Sequence, residues 1–496
     1  MRTSPVIILL LLTTTLCFAY VSTNVPLDHW SYGAVDKLIG YGLIDGAMMS
    51  TRPVSRLEMA RHIAEAVEKA RQLDEKNEII LSLIEKLKKE FKDELTTTGT
   101  IDGERVDSFI KPIDDLYIRY VYGDNKPDLE NQRGDVFNKH SNYRAGFTSR
   151  MLFFDTVAFY LHPEYVDSSV DPDRDIDLIE GYGKLMLGRL EIEAGKDSLW
   201  WGPGYHGSII MSNNIEPFKM VKISNPNPVK LPWIFERLGP FKAVWFLTEL
   251  EEDRTIPDTK LTGLRLNFKP HPAFDIGLSR AIMYNGSGRE SPDLKNYWNM
   301  FLGSKENLGG ELDNNQLAGF DVSVLIPLDG KVPARSIKLY ADLAGEDKAG
   351  GLPSRWGRLL GLKLNDILLQ GRTDLCVEYA NNHISGYPNY FYNHHIYQSG
   401  YTYKDRVIGH HMDSDAGDFF IRLDHYLTDE IILGLEYDKQ KSLSSTNRQT
   451  IDQLGLDLTM LTSNNWRVKT GYRYESTKNS SIPDNHIIHV QLVYEF

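Results

Sequence analysis

The chain has 496 residues, a formal net charge of −13 and only two cysteines. Its length allows one large domain plus a small module, and its acidic balance argues against a nucleic-acid partner, which would call for a basic surface. After the N-terminal leader, no stretch comes near eighteen consecutive apolar residues, so a helical membrane protein is excluded; a membrane-spanning form of this chain has to be a closed barrel.

The N-terminus reads as a secretory signal peptide, residues 1–19. Met1 and Arg2 give a short positive start, Val6 to Leu12 is continuously apolar, and Cys17-Phe18-Ala19 sets small residues at a cleavage point after Ala19. The apolar core is too short to span a bilayer of ~30 Å. Leu16 directly before Cys17 argues against lipidation there. Cleavage leaves Cys376 alone, so no intramolecular disulfide can form. Losing Arg2 makes the remainder one unit more negative.

Residues 20–95 read as a small helical module. Ala34, Val35, Leu38 and Ile39 form an apolar stripe, with Gly42 as its C-cap. Ser55 and Glu58 make an S-x-x-E capping box, followed at helical spacing by Leu57, Ala60, Ile63, Ala64 and Val67. A third helix is predicted from Leu73 to Leu95, with a seam of Leu73, Ile80, Ile84, Leu87, Phe91 and Leu95. The segments Val25-Pro26-Leu27-Asp28-His29-Trp30, Tyr41-Gly42-Leu43-Ile44-Asp45-Gly46 and Val54-Ser55-Arg56-Leu57-Glu58-Met59-Ala60 resemble one surface-layer-homology repeat. That resemblance implies binding of peptidoglycan or another wall polymer, with Arg56 as the contact. Wall-binding versions often carry several repeats and this chain has one, so a packing module without ligand stands beside it. Residues 96–112 are read as a linker.

From residue 113 to 496 the pattern has period two, punctuated by Gly, Asn, Asp and Pro. Sixteen segments read as strands: Asp115–Val121, Tyr143–Arg150, Thr156–Tyr165, Gly181–Leu190, Lys242–Leu250, Thr262–Phe268, Phe274–Met283, Ala318–Ile326, Ser336–Leu343, Leu359–Leu364, Thr373–Tyr379, Asp418–Tyr426, Ile431–Tyr437, Leu454–Met460, Arg467–Tyr474 and Ile488–Phe496. Ile192–Asp197 and Lys219–Ile223 add two. The fold class is therefore an all-β transmembrane barrel of about eighteen antiparallel strands, alternatively sixteen. The last strand carries the clearest signal. Ile488, Val490, Leu492, Tyr494 and Phe496 share one face, His489, Gln491 and Glu495 the other, and Val493 is the exception. A terminal aromatic on such a strand resembles the sorting signal of outer-membrane barrels. The 26 tyrosines suit the aromatic girdles of such a protein. The long connections 285–313 and 380–416 are expected to face outside, or to fold inward and close the pore.

The most distinctive stretch is Gly195-Lys196-Asp197-Ser198-Leu199-Trp200-Trp201-Gly202-Pro203-Gly204-Tyr205-His206-Gly207-Ser208, continuing to Ser212-Asn213-Asn214. Flat rings beside amides are what sugars require: C–H faces pack on aromatics and hydroxyls meet amides. Packed tryptophans in a structural plug would read the same way. A second stretch runs through Tyr392-Asn393-His394, Tyr397, Gly400-Tyr401, Tyr403, Arg406-Val407-Ile408-Gly409-His410 and Asp415. The two together resemble the capsule assembly protein Wzi family, and the resemblance extends over most of the chain. It implies an outer-membrane lectin for capsular or other surface polysaccharide in a Gram-negative cell, with the helical module blocking the periplasmic mouth. The candidate contacts are Trp200, Trp201, Tyr205, Asn213, Asn214, Tyr401, Tyr403, Arg406 and His410. Besides polysaccharide, outer-membrane lipid is the other expected partner.

His383, His394, His395, His410 and His411 cluster in the second stretch, but without a tight helical H-x-x-x-H pair or a cysteine cluster, so no metal and no cofactor are expected. Neither a G-x-S-x-G elbow nor a P-loop occurs, and no carboxylate pair stands out, so no enzyme is expected. The alternative function is a porin tethered to the cell wall.

Overall fold

The computed structural model describes residues 20–73, 77–169, 175–301, 313–328, 332–349, 352–443 and 448–496. The expected signal peptide lies outside the described residues, as does part of the 285–313 connection.

Eighteen antiparallel strands close into a barrel. They are β1 (Phe109–Gly123), β2 (His140–Phe153), β3 (Val157–Ser168), β4 (Asp175–Leu187), β5 (Leu190–Asp197), β6 (Phe218–Ser224), β7 (Pro240–Glu249), β8 (Lys260–His271) and β9 (Phe274–Tyr284). Then follow β10 (Asn315–Pro327), β11 (Ser336–Ala349), β12 (Leu352–Ile367), β13 (Thr373–Asn381), β14 (Ala416–Tyr426), β15 (Ile431–Ser442), β16 (Thr450–Leu461), β17 (Trp466–Lys478) and β18 (Asn485–Glu495). Closure comes from β1 on β18, in register from Asp115↔Glu495 to Gly123↔Ile487. A closed barrel leaves no unpaired strand edge in lipid. The first strand starts at Phe109, before the expected boundary. An irregularity between Lys111 and Asp115, where Pro112 lacks a donor, separates this early part from the regular ladder.

The period-two pattern sorts the wall. Leu116 and Ile118 on β1, Phe159 and Leu161 on β3, and Leu454 and Leu456 on β16 are exposed outward. Between and opposite them, Arg119, Glu164, Lys184, Glu193, Arg265, Asp321, Arg422 and Asp457 point into the lumen and pair there. At one rim lie the chain's two barrel ends and the short turns 154–156, 188–189, 272–273, 427–430 and 462–465. In bacterial barrels this rim faces the periplasm and the longer loops face outside. Trp233, 90% exposed on the short 3₁₀ turn Trp233–Leu238, extends from the short-turn rim. Trp298, on the helix Leu294–Phe301 of the β9–β10 connection, sits half-exposed at the other. Both suit a membrane interface.

Residues 20–98 fold inside and across the short-turn mouth. The helices are α1 (Ser31–Gly40), α2 (Arg56–Ala70), α3 (Glu78–Glu90) and α4 (Lys92–Thr97); a further helix, α5 (Leu294–Phe301), lies in the β9–β10 connection. Gly42 ends α1 as expected: it adopts φ +82°, and the Leu43 N–H reaches back to the Leu38 carbonyl at 2.9 Å. The predicted third helix is two. Asn77 caps α3, its side chain accepting from the Ile80 N–H, and Phe91 leaves helical geometry between α3 and α4. The predicted seam from Ile80 to Leu95 is buried all the same. Ser55 caps α2 by accepting from the Glu58 N–H at 3.2 Å. Glu58 does not complete the box. Its carboxylate takes Lys242 of β7 instead, both oxygens at 2.8 Å from the ammonium.

Similar pairs tie the module to the wall. Lys37 meets Asp374 at 2.9 Å, and Asp36 meets Lys338 at 3.1 Å and also Lys363. At the rim, Lys86 and Ser82 meet Asp429, and Lys89 meets the carbonyl of Ser463. Such pairs specify one docking geometry, because an unpartnered lumen charge is costly to bury.

Candidate functional site

The connection 198–217 between β5 and β6 does not project outward. These strands have only 8 and 7 residues, so the chain leaves the wall early and turns into the lumen. Trp200–Trp201 pairs with Thr51–Arg52 of the helical module, and the Gly202 N–H donates to the Ser50 carbonyl at 2.8 Å. Gly202 holds φ +146°, and a Cβ there would come within 2.8 Å of Asp342 and Ser208. The glycine is thus required where the loop meets the wall.

Wall carboxylates hold this loop by its backbone. Glu378 of β13 accepts from the N–H groups of Tyr205 and His206, and Asp342 of β11 accepts from the Ile209 N–H at 2.9 Å. The connection 382–415 lies against it. Tyr392 clasps the two: its hydroxyl donates to the Ile209 carbonyl and accepts from the His410 N–H at 2.9 Å. Ser212 donates to the Gly409 carbonyl, and Asn214 to the Val407 carbonyl at 3.1 Å. Gly207 packs flat on His410; a Cβ would stand 2.3 Å from its ring.

Most of the sugar-contact candidates are buried in this arrangement. Trp200 and Trp201 lie inside, Trp201 edge-on to Phe246 at 5.4 Å. Tyr401 is buried with its hydroxyl on the Ile210 carbonyl, and Tyr403 packs on Phe218. Asn213 and Asn214 spend their amides on the Asn131 and Val407 carbonyls. His410 is buried, and burial together with the neighbouring His411 and His206 keeps it neutral, well below the ordinary histidine range. The expectation that these seven present their own faces to a sugar is therefore corrected: the loops they belong to close on each other and on the module. The other two candidates differ. Tyr205 is 47% exposed to space within the lumen, its ring stacked over Phe420 at 5.9 Å and its hydroxyl among Arg422, Asp424 and Glu436. Arg406 is part-exposed and reaches Asp128 at 3.0 Å.

Arg56 is also corrected as a wall-polymer contact. It is buried, ion-paired with Glu90 at 2.8 Å and Glu94 at 2.7 Å, and lies over the Phe91 ring. Burial opposes its charge, but Glu94 and Glu90 outweigh that and hold it protonated.

The sequence reading missed the third inward element, the connection 124–139. Arg133 there pairs with Asp28 of the module at 3.0 Å, and Glu130 with Arg473 of β17 at 2.8 Å. Asn131, Arg133 and Gly134 all adopt positive φ there. At the loop mouth, Arg355 lies between the exposed Tyr387 and the part-buried Tyr390, at 4.3 and 4.2 Å from their centres.

Comparison with known proteins agrees with this architecture. The family model for capsule assembly protein Wzi matches residues 123–487. A Klebsiella pneumoniae relative, an uncharacterized 55.8 kDa protein in the cps region, is 29% identical over 177 residues; the match spans 35% of this chain and 34% of that protein's own length. Among solved structures, Wzi of Escherichia coli, described as a carbohydrate-binding β-barrel of the outer membrane involved in group 1 capsule assembly, superposes with a TM-score of 0.73. That likeness covers 96% of this chain and 100% of the other at 19% identity, and it concerns the fold.

Proposed function

This chain belongs to the capsule assembly protein Wzi family, a β-barrel of the Gram-negative outer membrane, and from that premise we propose that it binds surface polysaccharide on its outer face and helps hold capsule to the cell without transporting or cleaving it. One observation carries this reading: the lumen is filled from both mouths, with Thr51–Arg52 of the module paired to Trp200–Trp201 of the outer loop. A barrel closed by its own chain keeps only its loop face for a polymer. The same closure weighs against the wall-tethered porin, as does the burial of Arg56 beneath two carboxylates.

On this reading the nine candidate residues divide by role. Arg406, part-exposed in the outer loop, offers a set of donors and contacts polymer. Trp200, Trp201, Tyr205, Asn213, Asn214, Tyr401, Tyr403 and His410 shape the floor that supports it. Tyr387 and Tyr390 add aromatic surface at the same mouth. Binding is by ring stacking and hydrogen bonds, and no catalytic step is assigned.

The test is the partition of polysaccharide between cells and medium in a deletion strain and its complement. Unchanged total polymer that moves into the medium supports attachment. An unchanged partition with reduced uptake of small solutes would reject it in favour of the porin.

A further inference from the structure

We propose that the protein holds one divalent transition-metal ion of the zinc class, bound by His206, His411, Asp418 and Asp438 where its two inward-folded outer loops meet the barrel wall. Four separate segments supply the ligands. His206 comes from the connection 198–217, His411 from 382–415, Asp418 from β14 and Asp438 from β15. One donor atom from each lies within 4.8 Å of all the others.

The wall sets the two carboxylates. Phe420 and Asp438 are direct cross-strand partners, and Asp418 lies two residues along on the same inward face. The His206 ring stacks on Phe420 at 3.9 Å and 7°, which fixes its plane. Its backbone is pinned as well, with the N–H on Glu378 and the carbonyl accepting from Asn131. His411 meets the His206 ring edge-on at 4.6 Å between centroids.

Distances match a small cation. His206 Nε2 stands 3.4 Å from Asp438 Oδ2, and His411 Nε2 stands 2.9 Å from Asp418 Oδ2. Donors at ~2.0–2.2 Å from a tetrahedral ion lie about 3.3–3.6 Å apart, so shifts of well under a residue's width complete the shell. Two imidazoles with two carboxylates suit zinc-like ions better than calcium or magnesium, which prefer oxygen alone.

A second, independent observation points to a ligand. His206 Nε2, both nitrogens of His411, Asp418 Oδ2 and Asp438 Oδ1 are buried without a hydrogen-bond partner. The four side chains are each at least nine-tenths buried. Several unpaired atoms around one point call for an occupant, since buried polar groups are normally satisfied. The competing occupant is a proton, giving imidazolium–carboxylate pairs. That makes two separate pairs, His206 with Asp438 and His411 with Asp418, and does not join the two loops. A metal bridges all four segments, and so clamps both loops to β14 and β15. The clamp does not depend on which polymer, if any, the face binds.

The test uses the full-length barrel, purified in detergent free of lipopolysaccharide, stripped with a chelator and titrated with Co²⁺ alone. Retention of about one Co²⁺ per chain after gel filtration, with the intense visible absorption of a tetrahedral site and its loss on adding Zn²⁺, is expected. His411→Gln and Asp418→Asn should each abolish the band while keeping heat-modifiable migration, which reports an intact barrel. Bound metal should also slow proteolysis within 198–217 and 382–415 at least tenfold, and not in either variant. If the wild type retains no Co²⁺, or if both folded variants retain as much, the site is a proton-paired cluster and the proposal fails.

Discussion

Arg52 lies opposite Trp200 in a two-residue antiparallel pairing, its guanidinium carbon 4.9 Å from the centre of the indole. Arg52 also donates to the Gly204 carbonyl at 3.2 Å. Through this contact, a module that enters from the periplasmic rim touches a loop that enters from the outside. The two halves of the plug hold each other as well as the wall.

The plug should therefore be tight. In a planar bilayer the whole protein is expected to show no steady ion conductance, and removal of residues 20–98 is expected to open a pore. Arg52→Ala removes a cation–π contact of about 0.5–2 kcal/mol and a hydrogen bond, so brief openings should appear. Steady porin-like currents from the intact wild type would defeat the closed-lumen reading.

Glu58 and Lys242 form a buried pair between α2 and β7. Lys242→Met leaves the carboxylate uncompensated in the lumen and should destabilise module docking by roughly 3–5 kcal/mol. Hydrogen exchange across α2 should accelerate while the strands stay protected. Adding Glu58→Gln should restore much of the protection; a double variant as loose as the single one would show that the pair contributes packing only.

Acid should loosen the module before the barrel. Burial holds His29 neutral down to about 3, against the pull of Glu90 and assisted by Arg467 and Arg56. Burial likewise lowers His62 to about 4, against Glu58 and assisted by Arg61 and Lys242. Both folded values are depressed, so their stabilisation is complete above the unfolded value near 6.5 and is lost as pH falls toward 4 and 3. Each unit of depression is worth ~1.4 kcal/mol. Burial opposes ionisation of Asp36, but Lys338 and Lys363 outweigh it and hold the carboxyl below its usual range, adding a loss below about pH 4. Proteolysis within residues 20–98 at pH 7, 5.5 and 4 measures this. Equal resistance at all three, with His29→Phe indistinguishable from wild type, would remove the histidines from the account.

Arg406 and Trp201 should separate binding from folding. Arg406→Ala removes part-exposed donors of the outer loop, and cells carrying it should release polymer into the medium while the barrel melts as before. Trp201→Ala opens a cavity in a packed cluster and should cost about 3–5 kcal/mol. The reverse assignment would place the polymer contact inside the lumen.

The wall of this protein was legible strand by strand. Each of the sixteen primary segments and both additional ones overlaps a barrel strand, with Gly181–Leu190 running across the turn 188–189, because period-two alternation is a local property that lipid on one face and charge on the other enforce along the strand. The start of α2 was legible from Ser55, and the end of α1 from Gly42, since capping acts within a few residues. The destination of Glu58 was not, because the nearest lysine able to take it is Lys242, far along the chain. Asn213, Tyr401 and His410 show the same limit. Their side chains are of the kind that meets sugars, yet the same groups equally satisfy a buried loop backbone.

The sequence by itself determined a Gram-negative outer-membrane barrel of sixteen or eighteen strands with a helical N-terminal module and two unusual loops. Periodicity, terminal aromatic and motif all act over short stretches of chain. Only the tertiary structure decided that module and loops meet inside the lumen, that most candidate rings are buried while Tyr205 is not, and that His206 and His411 converge with Asp418 and Asp438. Those relations are set by which lumen charges find partners across the barrel, and that pairing is a property of the closed wall rather than of any one segment.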